Sequence, residues 1–179
     1  MEHWPVTSSV PSAGTPARKP FTWWPAAVLL VLVFGYRFLS FRDFPNDHYV
    51  YVARAQQVLL GGWPGRDFVD PGFFLMYLVS AAGQWLLGHN LLGEALLVFG
   101  GFAVAAALTY LLAREATGSA VAAVACALLQ ALAYPRSYSY PKLPLHALAL
   151  LLAWSYVTGP TRMKRLCLAA VTAVAFLFR

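Results

Sequence analysis

The chain has 179 residues, of which 60% are apolar and 11% charged, with a formal net charge of +6; a soluble domain of ordinary composition carries about 25% charged residues. Several long runs are almost free of charge, and a soluble core of this size cannot bury so many helices that are apolar all round, so the solvent they imply is lipid. This excludes a cytosolic enzyme, a secreted disulfide scaffold and a nucleic-acid-binding domain, and turns the positive charge into a question of membrane orientation.

Residues 1–20 are rich in Pro, Ser and Thr and end near Arg18-Lys19. Such a composition cannot support a core and reads as a disordered cytoplasmic tail. It is not a signal peptide, because its charges stand far from the start and no small-residue cleavage site follows the first apolar run. That run, 23–39, predicts a helix about 25 Å long, enough to span with interfacial help. Trp23, Trp24, Tyr36 and Phe41 near its ends suit the headgroup region.

Residues 41–72 are the least apolar stretch and hold Asp43, Asp47, Asp67 and Asp70. Pro45-Asn46-Asp47 signals a helix start, and Gly61-Gly62 followed by Pro64-Gly65 signals a stop. The interval 47–60 predicts a short, weakly amphipathic helix lying along the membrane surface. Further apolar segments follow at 73–87, 91–112, 120–133, 143–157 and 166–178. Cys126 and Cys167 fall inside two of them, which argues against a disulfide framework or a metal site. The last segment runs into Arg179 without a polar cap, so the chain is expected to be part of a longer protein. The expected fold is all-α: a polytopic transmembrane bundle over 21–179, with five or six apolar segments and an amphipathic juxtamembrane helix in the first outer loop.

Charge counting weighs how the segments cross and leaves two arrangements level. With the N-terminus inside and all six apolar segments spanning, Arg42, Arg54, Arg66, Arg114, Arg162, Lys164 and Arg165 would lie outside, inverting the positive-inside rule. If 73–87 lies at the outer interface instead, Arg18, Lys19, Arg114, Arg162, Lys164 and Arg165 are inside, against Arg42, Arg54, Arg66, Arg136 and Lys142 outside. The rule tolerates this arrangement. An N-out chain with six crossings satisfies it as well, and puts 41–72 in the cytoplasm.

The first loop is the place to look for chemistry. Asp47 opens the surface helix, and Arg54 falls two turns along the same face. A carboxylate beside a base at a membrane surface can accept a proton from an acceptor hydroxyl; equally, Asp47 can be a helix N-cap. His48 reads as well as a solvated loop histidine. Asp70, before Pro71, is held extended at the start of the next segment, where it faces the same cavity as Asp47 or closes a loop. In the interfacial topology Arg136 and Lys142 share the side of 41–72, where they can pair with a lipid phosphate or snorkel to the headgroups. Glu94 costs little at an interface and needs a partner if deeper. Arg162, Lys164 and Arg165 read as a topology anchor. No HExxH, CxxC or i, i+4 carboxylate pair marks a metal site.

The order of these elements resembles the GT-C membrane glycosyltransferases that use polyprenyl-phosphate-linked sugars, nearest to the protein O-mannosyltransferase and aminoarabinose transferase types. The resemblance rests on Asn46-Asp47-His48-Tyr49 with Ala53, Arg54 and Gly61-Gly62; on Arg66-Asp67-Phe68-Val69-Asp70-Pro71; on Gly83-Gln84-Trp85-Leu86-Leu87-Gly88; and on the aromatic-proline loop 134–142. It implies an inverting transfer at the outer face of the inner (plasma) membrane, from a polyprenyl-phosphate sugar to a lipid, glycan or protein acceptor. The N-terminus would be cytoplasmic, and Asp47 would act on the acceptor hydroxyl. The substrates would be held by Arg54, Asp70, Arg136 and Lys142, with the two last-named cations stabilising the leaving phosphate. No cofactor is required, although some members use a divalent metal; His48 stands where the family often has a second acid. The rival expectation is a non-catalytic multi-pass protein or transporter fragment.

Overall fold

The computed structural model describes residues 23–133 and 136–178; the tail expected over 1–20, with Tyr134 and Pro135 of the 134–142 loop, lies outside them. Among the described residues the chain is all-helical. The elements are α1 (Trp24–Ser40), α2 (Asn46–Leu59), α3 (Phe74–Leu87), α4 (Leu91–Thr117), α5 (Ala120–Leu132), α6 (Lys142–Thr158) and α7 (Arg162–Phe176), with a 3-10 turn at Ser137–Ser139. They follow the expected segments in order, and two boundaries differ for local reasons. α4 runs past residue 112 to the first residue that can turn it off: Gly118, whose φ of +69° suits a residue without Cβ and whose N–H donates to the Arg114 carbonyl. α7 starts before residue 166 because the Thr161 hydroxyl accepts the Lys164 N–H and caps it.

α4 is the axis of the bundle. Ala26 and Leu29 in the first turns of α1 meet Ala107 and Tyr110, while Phe34 meets Phe99 two turns earlier in α4, so α1 runs antiparallel to it. α5 is antiparallel too, with Ala123 and Ala127 beside Tyr110 and Ala131 beside Ala103 and Ala106. α6 runs parallel to α4: Tyr140, just before it, lies against Gly101, and Leu151 and Ser155 face Leu111 and Glu115. A Cβ on Gly101 would stand 2.8 Å from the Tyr140 carbonyl oxygen, so the close approach of that segment requires glycine. α2 and α3 pack on each other and on the first turns of α4. Residues 41–90 and 136–142 therefore gather at the end where α4 begins, and 114–119 and 158–162 at the other.

Leu91–Thr117, 27 residues, is long and apolar enough to cross a membrane; Trp24–Ser40, Phe74–Leu87 and Ala120–Leu132 are apolar but shorter. The outward faces are apolar as well. Val31, Leu32 and Leu39 of α1, Val121 and Leu129 of α5, Leu150 and Val157 of α6, and Met163 and Phe176 of α7 are all exposed. So broad an apolar surface exceeds the scattered hydrophobes of a soluble monomer.

Candidate functional site

α2 begins because Pro45, extended at ψ 149°, occupies the position before its first turn. Pro45 makes no side-chain cap, and Asp47 stands within the first turn, so the N-cap reading of Asp47 does not hold. The position still favours a carboxylate, since the first-turn N–H groups carry partial positive charge. Asp47 is exposed.

The two sides of α2 differ sharply. Toward the bundle, Phe44, His48, Val52 and Ala55 are buried, a stripe at helical spacing. On the loop-facing side a row of aromatic rings carries the cations. Tyr51 lies 5.2 Å from Phe73, 5.7 Å from Tyr138 and 6.1 Å from Tyr77, ring centre to ring centre, and Tyr77 lies 5.8 Å from Phe68. Arg54 stacks over Phe68 at 4.8 Å, Lys142 over Phe73 at 5.4 Å and Arg136 over Tyr138 at 5.8 Å. Cations over ring faces are attracted by the ring quadrupole, which holds these long side chains in place.

Asp47 stands one turn before Tyr51 on α2, and Asp70 accepts the Phe73 N–H, so both carboxylates border these rings. Burial raises the Tyr51 phenol above its ordinary value, with Tyr138 and then the charge of Asp47 adding to it. The Tyr77 phenol is raised by burial, then by Asp70 and Tyr51, against the opposing charge of Arg54. Arg136 is held further into its charged form by its hydrogen bond to Tyr138 Oη and by the charge of Asp47. Asp47, Arg54, Asp70, Arg136 and Lys142 thus surround one aromatic floor. Asp70 also orders the loop, its Oδ1 accepting the N–H groups of Gly72 at 2.9 Å and Phe73 at 2.7 Å. Arg54 bonds to Gln57 Oε1 at 2.8 Å.

His48 is not a solvated loop residue. It is fully buried and stacks on Phe44 with ring centres 4.1 Å apart. Its Nε2 lies 3.1 Å from Glu94 Oε1, and its Nδ1 lies 3.2 Å from Ser137 Oγ. Glu94 is fully buried too and accepts the Ser80 hydroxyl at 2.6 Å; Gln84 Nε2 donates to the Val52 carbonyl at 3.3 Å and lies 3.4 Å from Ser80 Oγ. The partner that a buried Glu94 requires is therefore supplied by α2 and α3 together. Tyr140 is pushed well above the usual phenol range by burial and then by the charge of Glu94. The sequence contained a signal for this network: His48 falls one turn after Phe44 and one before Val52, on the stripe that must face inward. Ser80 and Gln84 are likewise one turn apart on the buried side of α3.

At the opposite end Lys164 is more than a topology anchor. Its Nζ donates to the carbonyls of Ser155 at 2.8 Å and Gly159 at 2.9 Å, closing the end of α6 beside a cleft of about 400 Å³. Among the described residues, no group of three or more His, Cys, Asp or Glu side chains could hold a metal ion. No family model matches the chain, and no curated protein or solved structure matches it.

Proposed function

We propose that the chain is, or belongs to, a polytopic membrane glycosyltransferase that moves a sugar from a polyprenyl phosphate to an acceptor hydroxyl at the outer membrane face. The observation that carries this reading is the convergence of Asp47, Arg54, Asp70, Arg136 and Lys142 on one aromatic floor, contributed by α2, the 61–73 loop and the 136–142 segment. Acids and cations over aromatic rings form a surface suited to a sugar flanked by a nucleophile on one side and a phosphate on the other. The broad apolar exterior supports placement in lipid. The gathering of 41–90 and 136–142 at one end supports an interfacial α3, and with α3 there the charge count of six cations against five favours an intracellular N-terminus.

In this reading the acceptor oxygen attacks the anomeric carbon as the bond from that carbon to the phosphate oxygen breaks. Asp47 takes the acceptor proton, and the polyprenyl phosphate leaves with the bonding pair. Arg136 and Lys142 offset the charge that develops on it. Asp70 and Arg54 hold the sugar and the loop around it. The decisive variant is Asp47→Asn in the full-length protein, which keeps the shape and removes the base. Sugar transfer should fall at least a hundredfold with donor binding retained; transfer at the wild-type rate sinks the role of Asp47. A transporter would place its ionisable groups at mid-membrane, near broken helices. Glu94 instead sits in the first turn of α4, satisfied by two partners.

A further inference from the structure

The polar chain behind α2 donates in one direction. Gln84 Nε2 lies 3.4 Å from Ser80 Oγ, and the Ser80 hydroxyl gives its proton to Glu94 Oε2 at 2.6 Å. The other carboxylate oxygen, Oε1, faces His48 Nε2 at 3.1 Å. A carboxylate only accepts, so the imidazole proton stands on Nε2. The lone pair of Nδ1 is left toward Ser137 Oγ, 3.2 Å away. The Ser137 hydroxyl therefore donates to a neutral imidazole whose other nitrogen is held by an acid.

His48, Ser80, Gln84 and Glu94 are all buried. Ser137 is the exception: it is half-buried and lines a cleft of about 380 Å³ walled by Phe41, Phe44, Phe99 and Phe102. That volume is within the roughly 300–1,000 Å³ of small-ligand sites. Ser137 is fixed in place, because the Arg136 carbonyl accepts the Ser139 N–H at 2.8 Å and the Ser137 carbonyl accepts the Tyr140 N–H at 3.2 Å. His48 is held from swinging away by its stack on Phe44, the two ring planes lying 11° apart. A hydroxyl at a cavity wall, a base behind it and an acid behind the base are what nucleophilic serine chemistry requires. Such constellations are recognised by geometry and role, not by order along the chain. Here Nδ1 faces the serine and Nε2 the acid, which imidazole chemistry allows, since either nitrogen can carry the proton.

We infer a second activity, the hydrolysis of a long-chain carboxylic ester, with Ser137 as nucleophile, His48 as its base and Glu94 as the positioning residue behind the imidazole. The phenylalanine walls suit an acyl chain, and the rim continues into exposed apolar surface: Phe38, 48% exposed on α1, packs edge-on against Phe99 with ring centres 6.3 Å apart. Ser137 Oγ attacks the ester carbonyl carbon as its proton passes to His48 Nδ1, and the carbonyl pair moves onto oxygen. When that pair returns, the bond from the carbon to the alcohol oxygen breaks, and the leaving oxygen takes the proton back from Nδ1. Water then attacks the acyl-serine by the same steps, releasing the carboxylic acid and restoring the hydroxyl.

The test treats the full chain in detergent with two fluorophosphonates, one on a long alkyl chain and one on a polyethylene glycol chain, and locates the adduct by peptide mass spectrometry. Ser137 should carry the adduct, formed faster from the alkyl probe. An adduct elsewhere, or none, overturns the proposal, and equal rates from the two probes overturn the acyl-chain assignment. Ser137→Ala and His48→Asn should each slow labelling at least about a hundredfold, whereas Ser139→Ala, in the same turn, should not change it. The melting temperature shows whether His48→Asn is folded; a folded His48→Asn labelled at the wild-type rate overturns the role of the base. With p-nitrophenyl laurate as substrate, Glu94→Gln should lower kcat roughly tenfold or more and leave KM unchanged, because the acid stabilises the imidazolium of the transition state and does not touch the ester. A change in KM alone overturns the role of Glu94. None of these readouts involves a sugar donor, so the activity is tested apart from the transfer proposed above.

Discussion

Along the second half of α4 the neighbours are mostly alanines: Ala103, Ala106 and Ala107 of α4 meet Ala123, Ala127 and Ala131 of α5 and Ala26 of α1, all buried. Around its first turns the same helix meets phenylalanines and a hydrogen-bonded chain through Glu94, His48, Ser137, Ser80 and Gln84. Small residues let helix backbones approach closely and hold by dispersion, which fixes distance well and rotation poorly. A buried network of directional bonds admits one arrangement, since any slip leaves a polar group unpaired. The difference shows where this protein invests specificity: at the end that carries the aromatic floor.

The largest expected effect tests whether the network acts as a unit. His48→Leu leaves Glu94 buried without its imidazole and should cost about 3 kcal/mol in detergent unfolding. Adding Glu94→Leu should recover part of that loss, with a coupling of about 1–3 kcal/mol in the double-mutant cycle. Strictly additive costs would mean that the two residues are not a unit and that the contrast between the ends is one of composition alone.

A second substitution probes the alanine end. Ala127 has no exposed surface, so Ala127→Leu should force α5 from α4 and cost about 1–3 kcal/mol. Leu129→Ala, two positions on but 69% exposed, should stay within about 0.5 kcal/mol. Equal effects at the two positions would show that α5 does not pack through its alanines.

The smallest effect is one of pH and belongs to the network end. The Asp43 carboxyl lies below its ordinary value of 3.8, first because the Tyr49 hydroxyl donates to it and then because the Phe44 N–H does. A lowered folded value means stability that is complete above the unfolded value and lost as pH falls through the folded one. Amide exchange over 41–49, corrected for intrinsic rates, should therefore speed up below about pH 4, while 120–132 stays unchanged. Asp43→Asn should remove the difference; uniform acceleration along the chain would show that acid acts on the whole bundle.

Much of this was legible from residues alone. Long apolar runs, punctuated by Gly88-His89-Asn90, Gly118 and Gly159-Pro160, suffice to place the helices in order, because helix formation and its termination are local. The clustering of polar residues in 41–72 and 134–142 pointed to the end that carries the candidate site. Partners were another matter. His48 and Glu94 lie 46 positions apart, His48 and Ser137 89, and Arg37 and Ala131 94, so no local pattern could pair them. Whether an imidazole at a helix start meets water or a carboxylate depends on which face the next three helices cover, and packing settles that. Sequence by itself determined the helices, their order and their apolar character; the tertiary structure decided that Asp47 faces out and His48 faces in, because adjacent residues on a helix point about 100° apart and only the fold says which direction is inside.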